Sequence, residues 1–229
     1  MSQIQIPGIR AVVFDLDDTL FSEREFAFSG FRAVSAWLQQ RVACTTDPEA
    51  IMRRLFDSPY RDQVFDQILK ELGGEYSADL VSQMVDCFRQ HSPMIGLHPD
   101  AISAIDRWAG HFRMGIVSDG ILSVQQRKVK ALGLESRIDL IILTDQWGRE
   151  FWKPHPRAFR EIEKTWQVFG PACLYIADNP RKDFIAPVQL GWRTVQIHRL
   201  EGIYCQEESA EGGKPQFLIS SLDQIDLTS

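Results

Sequence analysis

Three carboxylates fall within the five residues Asp15-Leu16-Asp17-Asp18-Thr19, directly after the apolar run Arg10 to Phe14 (RAVVF). Three further groups follow later apolar runs. These are Ser118-Asp119-Gly120 after RMGIV, Lys153 beyond IDLIIL, and Asp178 with Asp183 after CLYIA. Carboxylates, a hydroxyl and a cation are what phosphoryl transfer uses, because that reaction needs an in-line nucleophile and charge neutralisation. A carboxylate such as Asp15 can be the nucleophile, giving an aspartyl-phosphate. An anion attacking an anionic phosphate needs cations beside it. Mg2+ takes carboxylate and carbonyl oxygens together with waters and phosphate oxygens. Asp15 and Asp178 are therefore expected to hold Mg2+, with Lys153 adding a fixed positive charge. Asp17 shares a side with Asp15 in an extended segment, roughly 6–7 Å along the chain. It is the candidate general acid and base. Ser118, with the N–H groups of Asp119 and Gly120, is expected to bind phosphate oxygens, and glycine permits close backbone approach. Thr19 is grouped with them as support for the first loop. Asp183 is expected to orient metal waters or Lys153, and Asp18 to shape the loop. Glu23 and Arg24 follow that loop as candidates for touching the leaving group.

These groups need a frame that brings strand ends together. RAVVF is mostly apolar and reads as a fully buried strand, as a parallel sheet buried on both faces requires. From Glu23 to His91 apolar residues recur at helical spacing, with breaks at Thr46-Asp47-Pro48, Ser58-Pro59 and Gly73-Gly74. This predicts about four helices and no strand. Asp47-Pro48 has the form of an N-cap followed by proline at the first helical position. After Pro93, helices alternate with the strands RMGIV, IDLIIL, CLYIA and RTVQI. Such alternation predicts a Rossmann-like α/β fold with a parallel sheet, in which ligands bind at the carboxyl ends of the strands. Glu207 to Lys214 reads as a polar loop, followed by a last strand over Phe217 to Ile219 and a short helix. The expected division is a core of residues 1–20 and 94–229, interrupted by a helical insertion over residues 21–93. The aromatic stripe of the insertion is expected to form its own core.

Composition excludes several classes. The net charge of −6, with no basic run, argues against nucleic acid and against an anionic membrane surface as partners. No apolar run approaches the ~20 residues that span a bilayer. The four cysteines, at 44, 87, 173 and 205, form no CxxC pair and suggest neither a zinc site nor a disulfide framework. With no signal-peptide pattern at the N-terminus, the expected location is the cytoplasm.

DLDDTL, Ser118, Lys153 and Asp178 with Asp183 resemble the four motifs of the haloacid dehalogenase-like superfamily, in the order that family uses. The resemblance spans nearly the whole chain, including a helical insertion at the first cap position. One departure is Ala177, where many members carry glycine. The resemblance implies a Mg2+-dependent phosphatase with Asp15 as nucleophile and Asp17, rather than Asp18, as acid and base. It also implies a metal ligand from the main-chain carbonyl of Asp17. The expected partner is a small phosphorylated metabolite, a sugar phosphate first and a nucleoside monophosphate second, enclosed by the helical cap. Segment ADNPRKDF is also similar to a subgroup associated with surface-sugar biosynthesis. The rival expectations are a sugar-phosphate mutase on the same scaffold and a catalytically inactive binding protein. Monomer and homodimer both remain open.

Overall fold

The computed structural model describes residues 3–73, 76–204 and 207–227. Its strands and α-helices run β1 (Ile4–Gln5), β2 (Ala11–Phe14), α1 (Glu23–Gln39), α2 (Pro48–Phe56), α3 (Val64–Leu72), α4 (Ala78–Gln90), α5 (Pro99–Trp108) and β3 (Arg113–Ser118). Then come α6 (Leu122–Ala131), β4 (Leu140–Leu143), α7 (Arg157–Trp166), β5 (Cys173–Ala177), α8 (Ile185–Gln189), β6 (Arg193–Ile197), β7 (Phe217–Ile219) and β8 (Ile225–Asp226). The chain divides into two compact units, residues 1–23 with 95–229, and residues 24–94.

The first unit is built on a six-stranded parallel sheet in the order β4-β3-β2-β5-β6-β7. From β2 the chain adds β3 and β4 on one side, then returns to lay β5 on the other. The crevice between β2 and β5 is thus a topological switch point, the place where such sheets receive ligands. The register pairs Phe14 with Ile176 and with Ile116, so the residues after three neighbouring strands emerge at one edge. Every residue of β2 and β5 is buried, which answers their uninterrupted apolar sequence. One face of the sheet packs Phe159, Tyr175, Phe184 and Trp192 into the core. Tyr175 meets Phe159 edge-on at 4.9 Å, a geometry favoured by the ring quadrupoles.

The fold class matches the sequence expectation, with small differences in extent. β4 begins at Leu140 rather than Ile138, and α8 begins at Ile185 rather than Asp183. The pair β1-β8 was missed, since two residues per strand carry no periodic signal.

The second unit is helical. The Asp47 side chain accepts the Glu49 N–H at 3.0 Å to cap α2, with Pro48 opening the helix. Its core gathers Phe31, Val34, Leu38, Met52, Leu55, Ile68 and Met84. Gly30 on α1 lets the Phe88 ring approach, since a Cβ there would lie 2.3 Å from it. The helix break expected at Gly73-Gly74 shows at Gly73, where φ is +70° and α3 ends; Gly74 lies outside the described residues. Cys44, Cys87 and Cys173 are free thiols, and Cys205 is also outside the described residues. Among the described residues no helix is long and apolar enough to cross a membrane.

Candidate active site

Asp15 is the first residue beyond β2, and its N–H donates to the Ile176 carbonyl at 2.8 Å. Asp178 is the first residue beyond β5, the neighbouring strand. Strand pairing alone therefore sets the two carboxylates side by side. Asp183 joins them through a closed turn, in which its N–H donates to the Asn179 carbonyl and its Oδ2 accepts the Asn179 N–H at 3.2 Å. Oxygens of Asp15, Asp178 and Asp183 lie within 4.8 Å of one another, and all three residues are buried.

The fixed cation among them is Lys153. Its Nζ donates to Asp15 Oδ1, to the Tyr175 hydroxyl at 3.1 Å and to the Val117 carbonyl at 3.4 Å. It also sits 2.9 Å from Asp183 Oδ1, a charge contact without hydrogen-bond alignment. Burial works against the charge on Lys153, but Asp15 and Asp183 hold its pKa well above the usual lysine range. For the carboxylates burial dominates the other way. It pushes Asp15 up to about 7 against the pull of Lys153, with Asp183 and Asp17 adding to the rise. Asp178 is raised well above the usual range by burial and by its neighbours Asp15 and Asp183.

Like charges at this density need a cation to stay ionised. Asp183 Oδ1 is buried without a hydrogen bond, and no described residue donates to the Asp178 carboxylate. An all-oxygen donor set of this kind suits Mg2+. Asp183 thus stands with Asp15 and Asp178 themselves, closer than the sequence expectation of a supporting role.

Asp17 faces elsewhere. Its Oδ1 receives Lys128 Nζ at 2.5 Å and its Oδ2 receives Gln125 Nε2 at 2.7 Å. The same Gln125 amide donates to Ser118 Oγ at 2.6 Å. Neither Gln125 nor Lys128 was singled out in the sequence. The available signal was their i,i+3 spacing on the helix that follows Ser118, which puts both on one face.

Asp119 is engaged through its side chain. Its Oδ1 accepts Thr144 Oγ1 at 2.8 Å and the Lys153 N–H at 3.1 Å, and its Oδ2 accepts Lys182 Nζ at 2.5 Å. Burial would raise its pKa, yet Lys153 and Lys182 bring it below the usual range. Gly120 has φ +121°, a conformation that favours glycine. Asp18 shapes the loop through the N–H groups of Glu23 at 2.9 Å and Ile203 at 3.0 Å.

A cavity of about 150 Å³ opens over these groups, lined by Asp15, Asp17, Asp119, Gly120, Lys153 and Asp178 among others. Glu23 and Tyr204, the latter also missed in the sequence, add to its wall. Burial, with Asp17 nearby, pushes the Glu23 carboxyl up to about 7. Thr19 is a correction to the expected phosphate-binding set. It is not among the cavity-lining residues, its side chain is wholly buried, and its hydroxyl has no partner among the described residues. Only its carbonyl is engaged, anchoring the loop to Arg199 at 2.7 Å. Arg24 pairs with Asp57 inside the helical unit.

Known proteins resemble this chain. The family described as haloacid dehalogenase-like hydrolase matches residues 12–197. A glyceraldehyde 3-phosphate phosphatase of Methanocaldococcus jannaschii is 26% identical over 95% of this chain and 95% of its own. One from Methanopyrus kandleri is 26% identical over 83% of this chain and 84% of its own. Among solved structures, the HAD-hydrolase YfnB of Bacillus subtilis, described as bound to magnesium, superposes with a TM-score of 0.67. It has 21% identity and covers 94% of this chain and 96% of that one.

Proposed function

The chain belongs to the haloacid dehalogenase-like hydrolases, and on that footing we propose that it is a Mg2+-dependent phosphatase of small phosphorylated metabolites. The observation that carries this reading is the buried cluster of Asp15, Asp178 and Asp183 around Lys153 at the switch point of the sheet. Phosphatases among the relatives support the reaction class.

In the proposed reaction a carboxylate oxygen of Asp15 attacks phosphorus in line with the leaving oxygen. The phosphorus–oxygen bond to the leaving group breaks as Asp17 gives that oxygen a proton. A water then attacks the aspartyl-phosphate, Asp17 takes its proton, and the bond to Asp15 breaks to release inorganic phosphate. Lys153 neutralises Asp15 and the phosphate oxygens, while Ser118 and the N–H groups of Asp119 and Gly120 hold those oxygens. Asp119 keeps Lys153 in place through the Lys153 N–H. Asp15, Asp178 and Asp183 would hold Mg2+, with the Asp17 carbonyl as a further ligand. Bound there, the ion supplies charge stabilisation to the phosphoryl oxygens.

The small cavity, acidic apart from its lysines, suits a compact phosphomonoester such as a sugar phosphate. The helical unit leaves the core directly after the catalytic loop and returns before α5. That connectivity favours a cap that selects the leaving group and excludes water. The test is release of inorganic phosphate from 4-nitrophenyl phosphate. Turnover is expected with Mg2+, with loss in EDTA and recovery on adding the ion back. Full activity in EDTA would overturn the metal assignment, and no phosphate release under any condition would overturn the hydrolase.

A further inference from the structure

The two carboxylates of the first loop are held in different ways. Asp15 sits among acids with one lysine, whereas Asp17 is gripped from both sides by residues of a single helix. Lys128 Nζ reaches Asp17 Oδ1 at 2.5 Å and Gln125 Nε2 reaches Oδ2 at 2.7 Å. The Lys128 side chain is packed away at 5% exposed, whereas the Asp17 side chain it holds is 21% exposed. Gln125 is buried, and the Phe21 ring lies 5.7 Å from Lys128 Nζ.

The hydrogen-bond inventory decides what this grip does. A carboxylate accepts only, so the Gln125 group facing Asp17 must be the NH₂. Its two N–H bonds serve Asp17 and Ser118, which fixes the rotamer and ties the two functional groups together. A carboxylate offers about four acceptor sites. Among the described residues two are taken, one on each oxygen, which fixes Asp17 in orientation and leaves acceptor capacity toward the proton it must carry. A solvent-facing loop carboxylate without such partners would sample many rotamers. Proton transfer depends on placing one oxygen at a set position.

We propose that Gln125 and Lys128 are positioning residues that aim the Asp17 carboxylate at the leaving-group oxygen, with Gln125 linking that carboxylate to the phosphate-binding Ser118. The assignment rests on the reading of Asp17 as acid and base. Lys128 is a second buried lysine of the site, distinct in role from Lys153. It serves the leaving-group side and Lys153 the nucleophile side.

The test measures kcat/KM for substituted phenyl phosphates, from the acidic 4-nitrophenol leaving group to unsubstituted phenol and the less acidic 4-methoxyphenol. A leaving group that departs readily needs no proton, and one that departs poorly depends on it. Asp17→Asn serves as reference and is expected to steepen the dependence of rate on leaving-group acidity. Lys128→Met and Gln125→Leu are expected to steepen it in the same direction. Their losses should be several-fold on 4-nitrophenyl phosphate and up to about 10²-fold on 4-methoxyphenyl phosphate. Lys128→Arg, which keeps the charge and a donor, should recover part of the slope. If Lys128→Met does not fold, Gln125→Leu and Lys128→Arg carry the measurement. Equal losses across the whole series in these variants, with Asp17→Asn still steepening it, would overturn the positioning role. An unchanged slope in Asp17→Asn itself would instead overturn the acid–base reading on which it rests.

Discussion

Two cavities open at opposite edges of the same parallel sheet, and the smaller one gathers the buried carboxylates and Lys153. At the amino edge a cavity of about 600 Å³ is lined by Arg10, His111, Arg113, Arg137 and Asp139 among others. Its charges are spread and solvated. Arg113 and Asp139 approach only to 4.0 Å with side chains 64% and 40% exposed, and Arg137 pairs outward with Asp106. At the carboxyl edge a cavity of about 150 Å³ stands over Asp15, Asp178, Asp183 and Lys153, all nearly buried. Volume and buried charge point to different edges. Buried like charges are costly and persist where a cation or a reaction compensates them, whereas exposed ion pairs contribute little.

The largest expected effect breaks the comparison at its centre. Asp15→Asn should keep the fold, by circular dichroism, and lower phosphate release from 4-nitrophenyl phosphate on the order of 10⁴-fold or more. Retained activity would remove Asp15 as nucleophile. Next, Lys153→Met leaves the acids without their lysine and should cost about 3 kcal/mol or more in urea unfolding. Arg113→Ala at the amino edge should change stability by about 0.5 kcal/mol or less and leave turnover unchanged. Equal costs at the two edges would erase the distinction drawn between them.

The smallest effect concerns pH. Asp119 has its folded pKa lowered because Lys153 and Lys182 outweigh burial. A lowered carboxylate pKa stabilises the fold above the unfolded value of about 3.9 and loses that contribution as pH falls through the folded value. Asp119→Asn should therefore be less stable than the parent at neutral pH, with the gap closing as the solution is acidified below about pH 4. Urea midpoints at the two pH values check it, and a gap that widens on acidification would contradict the sign.

Much of the core was legible because its elements advertise themselves. The fully buried strands β2 and β5 read as unbroken apolar runs, and the expected segments CLYIA and RTVQI coincide with β5 and β6. Helix α2 announced its start through Asp47-Pro48. Asp15 and Asp178 were legible for a related reason, since polar residues right after buried strands have few structural excuses. The failures have physical causes. Thr19 sits in the motif loop, but its side chain turns into the core, and sequence does not show which way a loop residue faces. Gln125 and Lys128 lie on a helix where polar residues are expected to meet water, and only packing reveals that theirs do not. Tyr204 lies in an irregular segment without any periodicity to place it.

The residues by themselves determined the parallel α/β architecture, the helical insertion and the order in which functional groups leave the strand ends. Apolar runs, caps and breaks act over a few neighbouring positions and can be read there. Tertiary structure decided which of those groups meet. Lys153 reaches Asp15 across 138 positions of chain, and Gln125 and Lys128 reach Asp17 across 108 and 111. Those encounters depend on β5 returning to pair beside β2 and on which face of α6 turns inward. Strand order and helix facing come from burying the whole core at once, so no local stretch of sequence contains them.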